Sequence, residues 1–134
     1  MLSSIINIEN HQAIQSVFAD DEVLYLFKRV TLLGFNMKYY DGHHEISLLL
    51  NAYPKSPPKK WLLEKNANNT VLLFRFGSLK SVFLEGKFYR LTAELFIEAD
   101  SNNTYVLSIG DDTNSMKITH ENKIRVANIY PIYH

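Results

Sequence analysis

Short runs in which apolar and polar residues alternate, each closed by a turn-forming pair, constrain this chain more than anything else in it. Phe35, Met37 and Tyr39 alternate with Asn36 and Lys38, and His44, Ile46, Leu48 and Leu50 alternate with Glu45 and Ser47. A period of two puts every second side chain on the same face, which is the signature of a half-buried strand. Asp41-Gly42 between the runs supplies the positive φ values that a tight hairpin turn needs, so the two runs read as a β-hairpin. Gly34 interrupts the first run, as glycines at bulges or strand starts do.

The same reading extends down the chain. Residues 71–76 (VLLFRF) are apolar on both faces except at Arg75, as in a central strand covered on each side. Residues 79–84 follow Gly77-Ser78, and Gly86 breaks the chain again. Ala93, Leu95, Ile97 and Ala99 alternate with Glu94 and Glu98 as one strand, Tyr105, Leu107 and Ile109 return, Met116 and Ile118 make a short strand, and Ile124, Val126 and Tyr130 the last. Turn signals recur about every 8 to 14 residues, the spacing of antiparallel architectures and not of alternating β and α units. One helical pattern precedes them: Ala13, Ile14, Val17 and Phe18 recur at three-to-four-residue spacing from about residue 8 or 11 to residue 19, with Asn7 or Asn10 as cap. The expected fold is mainly β (α+β), an antiparallel sheet forming a sandwich, roll or partly open barrel, with one N-terminal helix. At 134 residues, with no linker or repeat, residues 1–134 read as a single domain with one core.

Charge and composition narrow the function classes. Fourteen basic and fourteen acidic residues leave no global field to attract nucleic acid or anionic lipid, so a charged partner must be met by a local patch. The absence of cysteine excludes disulfides, thiolate nucleophiles and Cys-based zinc sites. No stretch resembles a signal peptide or a membrane span, and a cytosolic, soluble protein is the expectation. His43 and His44 point to opposite faces of a strand beside a turn, His120-Glu121 reads as a turn, and neither His11 nor His134 has an i, i+4 partner, so no metal site is expected. Glu94 and Glu98 on one strand would stand roughly 13 Å apart, too far for two carboxyls to act together in glycoside hydrolysis. There is no GxSxG elbow and no phosphate-cradling glycine pattern. Phe74, Phe76, Phe83, Phe88, Tyr89 and Phe96 have few basic neighbours, which favours core packing over base stacking. No enzyme activity, cofactor or nucleic-acid partner is expected.

The stretch NAYPKSPPKKW (51–61) holds three of the four prolines and the only tryptophan. Its PxxP is embedded between apolar segments, whereas proline ligands are commonly displayed on disordered tails, and its three lysines stand alone in a neutral chain. Because proline removes an N–H and fixes φ, residues 54–58 must leave the sheet as a stiff connector.

With Leu48 to Leu50, Tyr53-Pro54, Pro57-Pro58, Lys60-Trp61, Asn68-Asn69, the 71–76 strand and Leu84-Glu85-Gly86, the chain resembles the bacterial immunity protein 50 family of polymorphic-toxin systems. The resemblance covers about residues 26 to 133; the N-terminal helix matches only loosely. It implies a non-enzymatic cytosolic antitoxin that binds a cognate toxin domain and occludes it. Under it, Tyr53, Pro54, Pro57, Pro58, Lys60 and Trp61 are a structural motif, and partner binding falls to exposed turns and sheet faces, with Asp20, Asp21, Glu22, Asp111 and Asp112 as acidic candidates. Net neutrality leaves the toxin class open. The alternative is a small-molecule-binding β domain or β-barrel enzyme in which inward Phe35, Tyr39 and Phe96 line a pocket; a third reading is a subunit assembling through an exposed strand edge.

Overall fold

Asp41 and Gly42 adopt φ of 49° and 84°, so the turn at the first hairpin is left-handed at both central positions. It joins β1 (Val30–Tyr40) to β2 (His43–Ala52) in register from Tyr40↔His43 to Val30↔Ala52. In this computed structural model the described residues are 3–18, 23, 25–53, 67–87, 90–100 and 103–133. The connector 54–66, Asp20, Asp21 and Glu22 lie outside them, as do Phe88 and Tyr89.

Two antiparallel sheets result. The first has the order β5-β1-β2-β3-β9, with β3 (Ala67–Gly77), β5 (Leu91–Ala93) and β9 (Arg125–Tyr133). The second has the order β4-β8-β7-β6, with β4 (Leu79–Glu85), β6 (Leu95–Ala99), β7 (Tyr105–Gly110) and β8 (Ser115–His120). They do not close into a barrel; the arrangement is of the sandwich or roll type. Ile46, Leu48 and Leu50 of β2 and Leu72, Phe74 and Phe76 of β3 face Leu95, Ile97, Leu107, Ile109, Met116 and Ile118 of the second sheet across one apolar core. β3 is an interior strand, but its outer face is only partly covered: Val71 is buried, Leu73 half-buried and Arg75 exposed.

The expected single strand through 93–99 is two strands. β5 belongs to the first sheet and β6 to the second, and the chain changes sheet at Glu94, where the Leu95 N–H donates to the Phe27 carbonyl (2.9 Å). Ala99, expected inside, is exposed.

The helical segment is also smaller than expected, with single turns at α1 (Ser3–Ile6) and α2 (Gln12–Gln15) among the described residues. Ile14 and Phe18 do reach the core. Asn7 and Asn10 do not act as side-chain caps, since the N-cap of α2 is His11, which makes no side-chain cap bond. Instead the Asn10 amide behaves like a short strand: Oδ1 accepts from the Val126 N–H (2.8 Å) and Nδ2 donates to the Val126 carbonyl (2.9 Å). Asn7 Nδ2 donates to the Ile97 carbonyl (2.9 Å), tying the same segment to the other sheet. No helix among the described residues is long and apolar enough to cross a membrane.

Candidate functional site: the outer face of the four-stranded sheet

Alternation in β8 buries Met116 and Ile118 and sends Lys117 outward; in β7 it buries Leu107 and Ile109 and turns Ser108 outward. Phe96 lies between buried Leu95 and Ile97 and therefore also faces out. The pairings Phe83↔Lys117, Ser108↔Lys117 and Phe96↔Ser108 align these residues in one row across β4, β8, β7 and β6. Three strand spacings separate the two phenylalanines, roughly 14 Å. Phe83 is 56% exposed and Phe96 42%, so about half of each side chain is in solvent.

The row on either side carries a carboxylate at one end. Glu85 is the outward residue of β4 beyond Phe83, Glu98 that of β6 beyond Phe96, and Glu94 sits at the corner where β6 begins, 3.3 Å from Lys28 Nζ. Two adjoining depressions mark the face. One, of about 390 Å³, lies between Phe83, Glu94, Phe96 and Lys117, and the other, of about 400 Å³, between Glu98, Asp100, Val106 and Lys117. Lys117 and Ser108 line both. Two aromatic anchors beside a central lysine, with carboxylates at the margin, have the anatomy of a protein-docking surface.

Compared with protein-family models, curated proteins and solved structures, the chain matches none.

The residues singled out from sequence fall differently. Asp111 and Asp112 lie in the β7–β8 turn and are exposed. Asp111 Oδ1 accepts from the Thr113 N–H (2.8 Å), the Asn114 N–H (2.8 Å) and the Thr113 hydroxyl (3.1 Å), so this carboxylate organises its own turn. Those backbone donors, Thr113 first and then Asn114, hold its carboxyl below the usual range. Gly86 packs against the same turn at φ 113°; a Cβ there would collide with Asn114 Oδ1 and come within 2.5 Å of the Thr113 carbonyl oxygen. Tyr53, the first residue of the proline motif, is held at the sheet edge by a 2.7 Å hydrogen bond with the Thr31 hydroxyl and by the Arg29 guanidinium 4.5 Å from its ring centre. Pro54, Pro57, Pro58, Lys60 and Trp61 lie outside the described residues.

Three expectations are corrected. Phe83 and Phe96 are not core residues, whereas Phe74 and Phe76 are. Phe35 (40% exposed) and Tyr39 (68%) do not line an enclosed pocket, since they lie in a stretch of β1, Leu33 to Tyr39, that is exposed apart from half-buried Gly34. His120 is not in a turn. It is the last inward residue of β8, fully buried between Phe76 and Tyr105, with ring centres at 4.4 and 5.7 Å. Its Nδ1–H donates to the Asn122 carbonyl, while buried Nε2 has no partner. Burial pushes the imidazole below its ordinary value, partly opposed by that hydrogen bond. Among the described residues no three His, Cys, Asp or Glu gather as a metal site.

Proposed function

We propose that this chain is an immunity protein: a non-enzymatic antitoxin that, in the cytosol, docks the outer face of β4-β8-β7-β6 on a cognate bacterial toxin domain and blocks it by occlusion. The observation that carries the reading is the pair of exposed phenylalanines in a single cross-strand row. A paired apolar anchor on an otherwise polar sheet face costs solubility unless a partner covers it. The resemblance of residues 26 to 133 to immunity protein 50 supplies the class of partner. The margin supplies its chemistry: Glu85, Glu98 and Asp100 stand around Lys117, with Glu94 already paired to Lys28, so the complementary surface is basic around an apolar centre. The same carboxylates weigh against a nucleic-acid backbone on this face, although exposed aromatics beside a lysine would otherwise suit stacked bases.

The test is co-expression with the toxic C-terminal domain of a toxin encoded beside the gene. Wild type is expected to restore growth and to co-elute with that domain, and Phe83→Ala with Phe96→Ala to lose both while keeping the melting temperature, since neither ring is in the core. Undiminished killing with no complex on a sizing column would reject the immunity reading. Protection unaffected by the double substitution would reject this face.

A further inference from the structure

On the opposite side of the sandwich, β3 and β9 pair so that Arg75 stands directly across from Arg125. Their neighbours Phe74 and Val126 are buried, so both arginines point outward, and both are exposed. Like charges directly opposite on an antiparallel pair destabilise it. No carboxylate closes a direct ion pair with either: the ion pairs among the described residues are Lys28–Glu94 and Lys80–Glu121, and Glu9, Glu45 and Glu121, which line the same depression, bridge to neither arginine.

The two guanidiniums flank an open depression of about 540 Å³ at the end of the sandwich, with Lys123 adding a third cation and Phe76 and Tyr105 an aromatic wall. That volume is in the range of small-molecule sites. The walls are fixed. The Glu9 N–H donates to the Ile124 carbonyl (2.8 Å) and Asn10 clasps Val126, which hold the N-terminal segment beside Arg125. Buried His120 fills the space behind Phe76 and Tyr105, so that wall cannot collapse inward. Gly77 contributes no side chain where the His43 ring lies 3.2 Å from the position a Cβ would take.

We propose that this depression is an oxyanion site in which Arg75 and Arg125 together grip one carboxylate or phosphate group of a small molecule. Two guanidiniums on directly paired residues of adjacent strands can each donate N–H groups to such a group, and its charge offsets the repulsion between them. The site takes a small anion and not a polyanion, because Glu9 and Glu45 line the same depression and repel a chain of phosphates running past the arginines. Its location at the end of the sandwich, sharing no lining residue with the depressions beside Phe83 and Phe96, leaves it open while those are covered, so the inference does not depend on the immunity reading.

The experiment titrates the purified protein with inorganic phosphate and, separately, with citrate at constant ionic strength, following the Arg Nε–Hε signals and the melting temperature. Expected are saturable shifts confined to Arg75 and Arg125 at millimolar anion, and a melting temperature that rises more than in matched chloride. Arg75→Glu should weaken binding at least roughly tenfold. The unliganded variant should melt no lower than wild type, because it replaces a like-charge pair with an opposite one. That combination of weaker binding and undiminished stability separates a ligand site from a merely structural pair. A response to phosphate alone assigns the site to phosphate groups, and to citrate alone assigns it to carboxylates. Equal responses in wild type and Arg75→Glu, or no shift with either anion, would overturn the proposal, as would Arg75-dependent binding of a short DNA duplex.

Discussion

Replacing Asn10 by alanine tests whether a single side chain fastens the N-terminal segment to the sheet. Asn10 satisfies both backbone groups of Val126 across 116 residues of sequence, at 2.8 and 2.9 Å. A neutral hydrogen bond contributes about 0.5–1.5 kcal/mol net, and a buried backbone group that loses its partner costs about 1–3 kcal/mol. Asn10 is half-buried, so water replaces part of what is lost, and the expected cost of Asn10→Ala is about 2–4 kcal/mol. For a domain of this size each kcal/mol moves the melting temperature by about 3–5 °C, giving a fall of about 6–20 °C. Thermal unfolding by circular dichroism measures it, and urea unfolding should show a lower midpoint at unchanged slope. Asn10→Asp is the sharper variant. It keeps the acceptor for the Val126 N–H but sets a carboxylate oxygen against the Val126 carbonyl, so it should be no more stable than alanine. The reasoning fails if Asn10→Ala melts within about 2 °C of wild type, or if the Val126 amide exchanges with solvent no faster than before.

Three further substitutions address buried and turn positions. His120 is held neutral by burial, so the unfolded chain binds a proton that the folded one refuses; stability should fall as pH drops below about 6.5, and His120→Phe, which keeps a ring between Phe76 and Tyr105, should flatten the slope between about pH 7 and pH 5. An unchanged slope would show that His120 is not the group titrating. Asp111 behaves in the opposite sense. Its lowered pKa gives a contribution present above about pH 3.8 and lost as pH falls through the folded value, and Asp111→Asn should remove that part of the acid dependence when melting is followed from neutral to acid pH. Gly86→Ala should cost more than about 2 kcal/mol in urea unfolding, since it combines positive φ with a collision against the β7–β8 turn.

Much of the strand layout is legible in the sequence because alternation and turn chemistry are local. The Asp41-Gly42 hairpin, the bulge beside Gly34 and the inward sets Ile46/Leu48/Leu50, Leu107/Ile109 and Met116/Ile118 all follow from residues within a few positions of one another. The helix is less legible: its apolar spacing is real, but Asn7 and Asn10 are drawn off as ties to the two sheets, a role set by partners about ninety and more than a hundred residues away. The change of sheet at Glu94 likewise leaves the alternation of 93–97 intact and so leaves no mark on the pattern.

Neither site is legible in composition, because both depend on register. A single extra residue in one strand reverses which side chains face inward from that point on. At β1 the extra residue is Leu33, at β4 it is Lys80 and at β9 it is Ala127. Without the bulge at Lys80, Leu79, Ser81 and Phe83 would share the inner face, the arrangement under which Phe83 reads as core. With it, Val82 packs against the core and Phe83 joins Lys117 on the outer face. The bulge at Ala127 turns Ile129 inward and Tyr130 outward, against the alternation that groups Tyr130 with Ile124 and Val126. Arg125 lies just before that bulge, in the stretch that Asn10 locks, and only the β3–β9 pairing sets it against Arg75, fifty residues away in sequence. The aromatic face therefore owes Phe83 to one inserted residue, and the arginine pair owes its register to the β3–β9 ladder, beside which Asn10 ties down Val126.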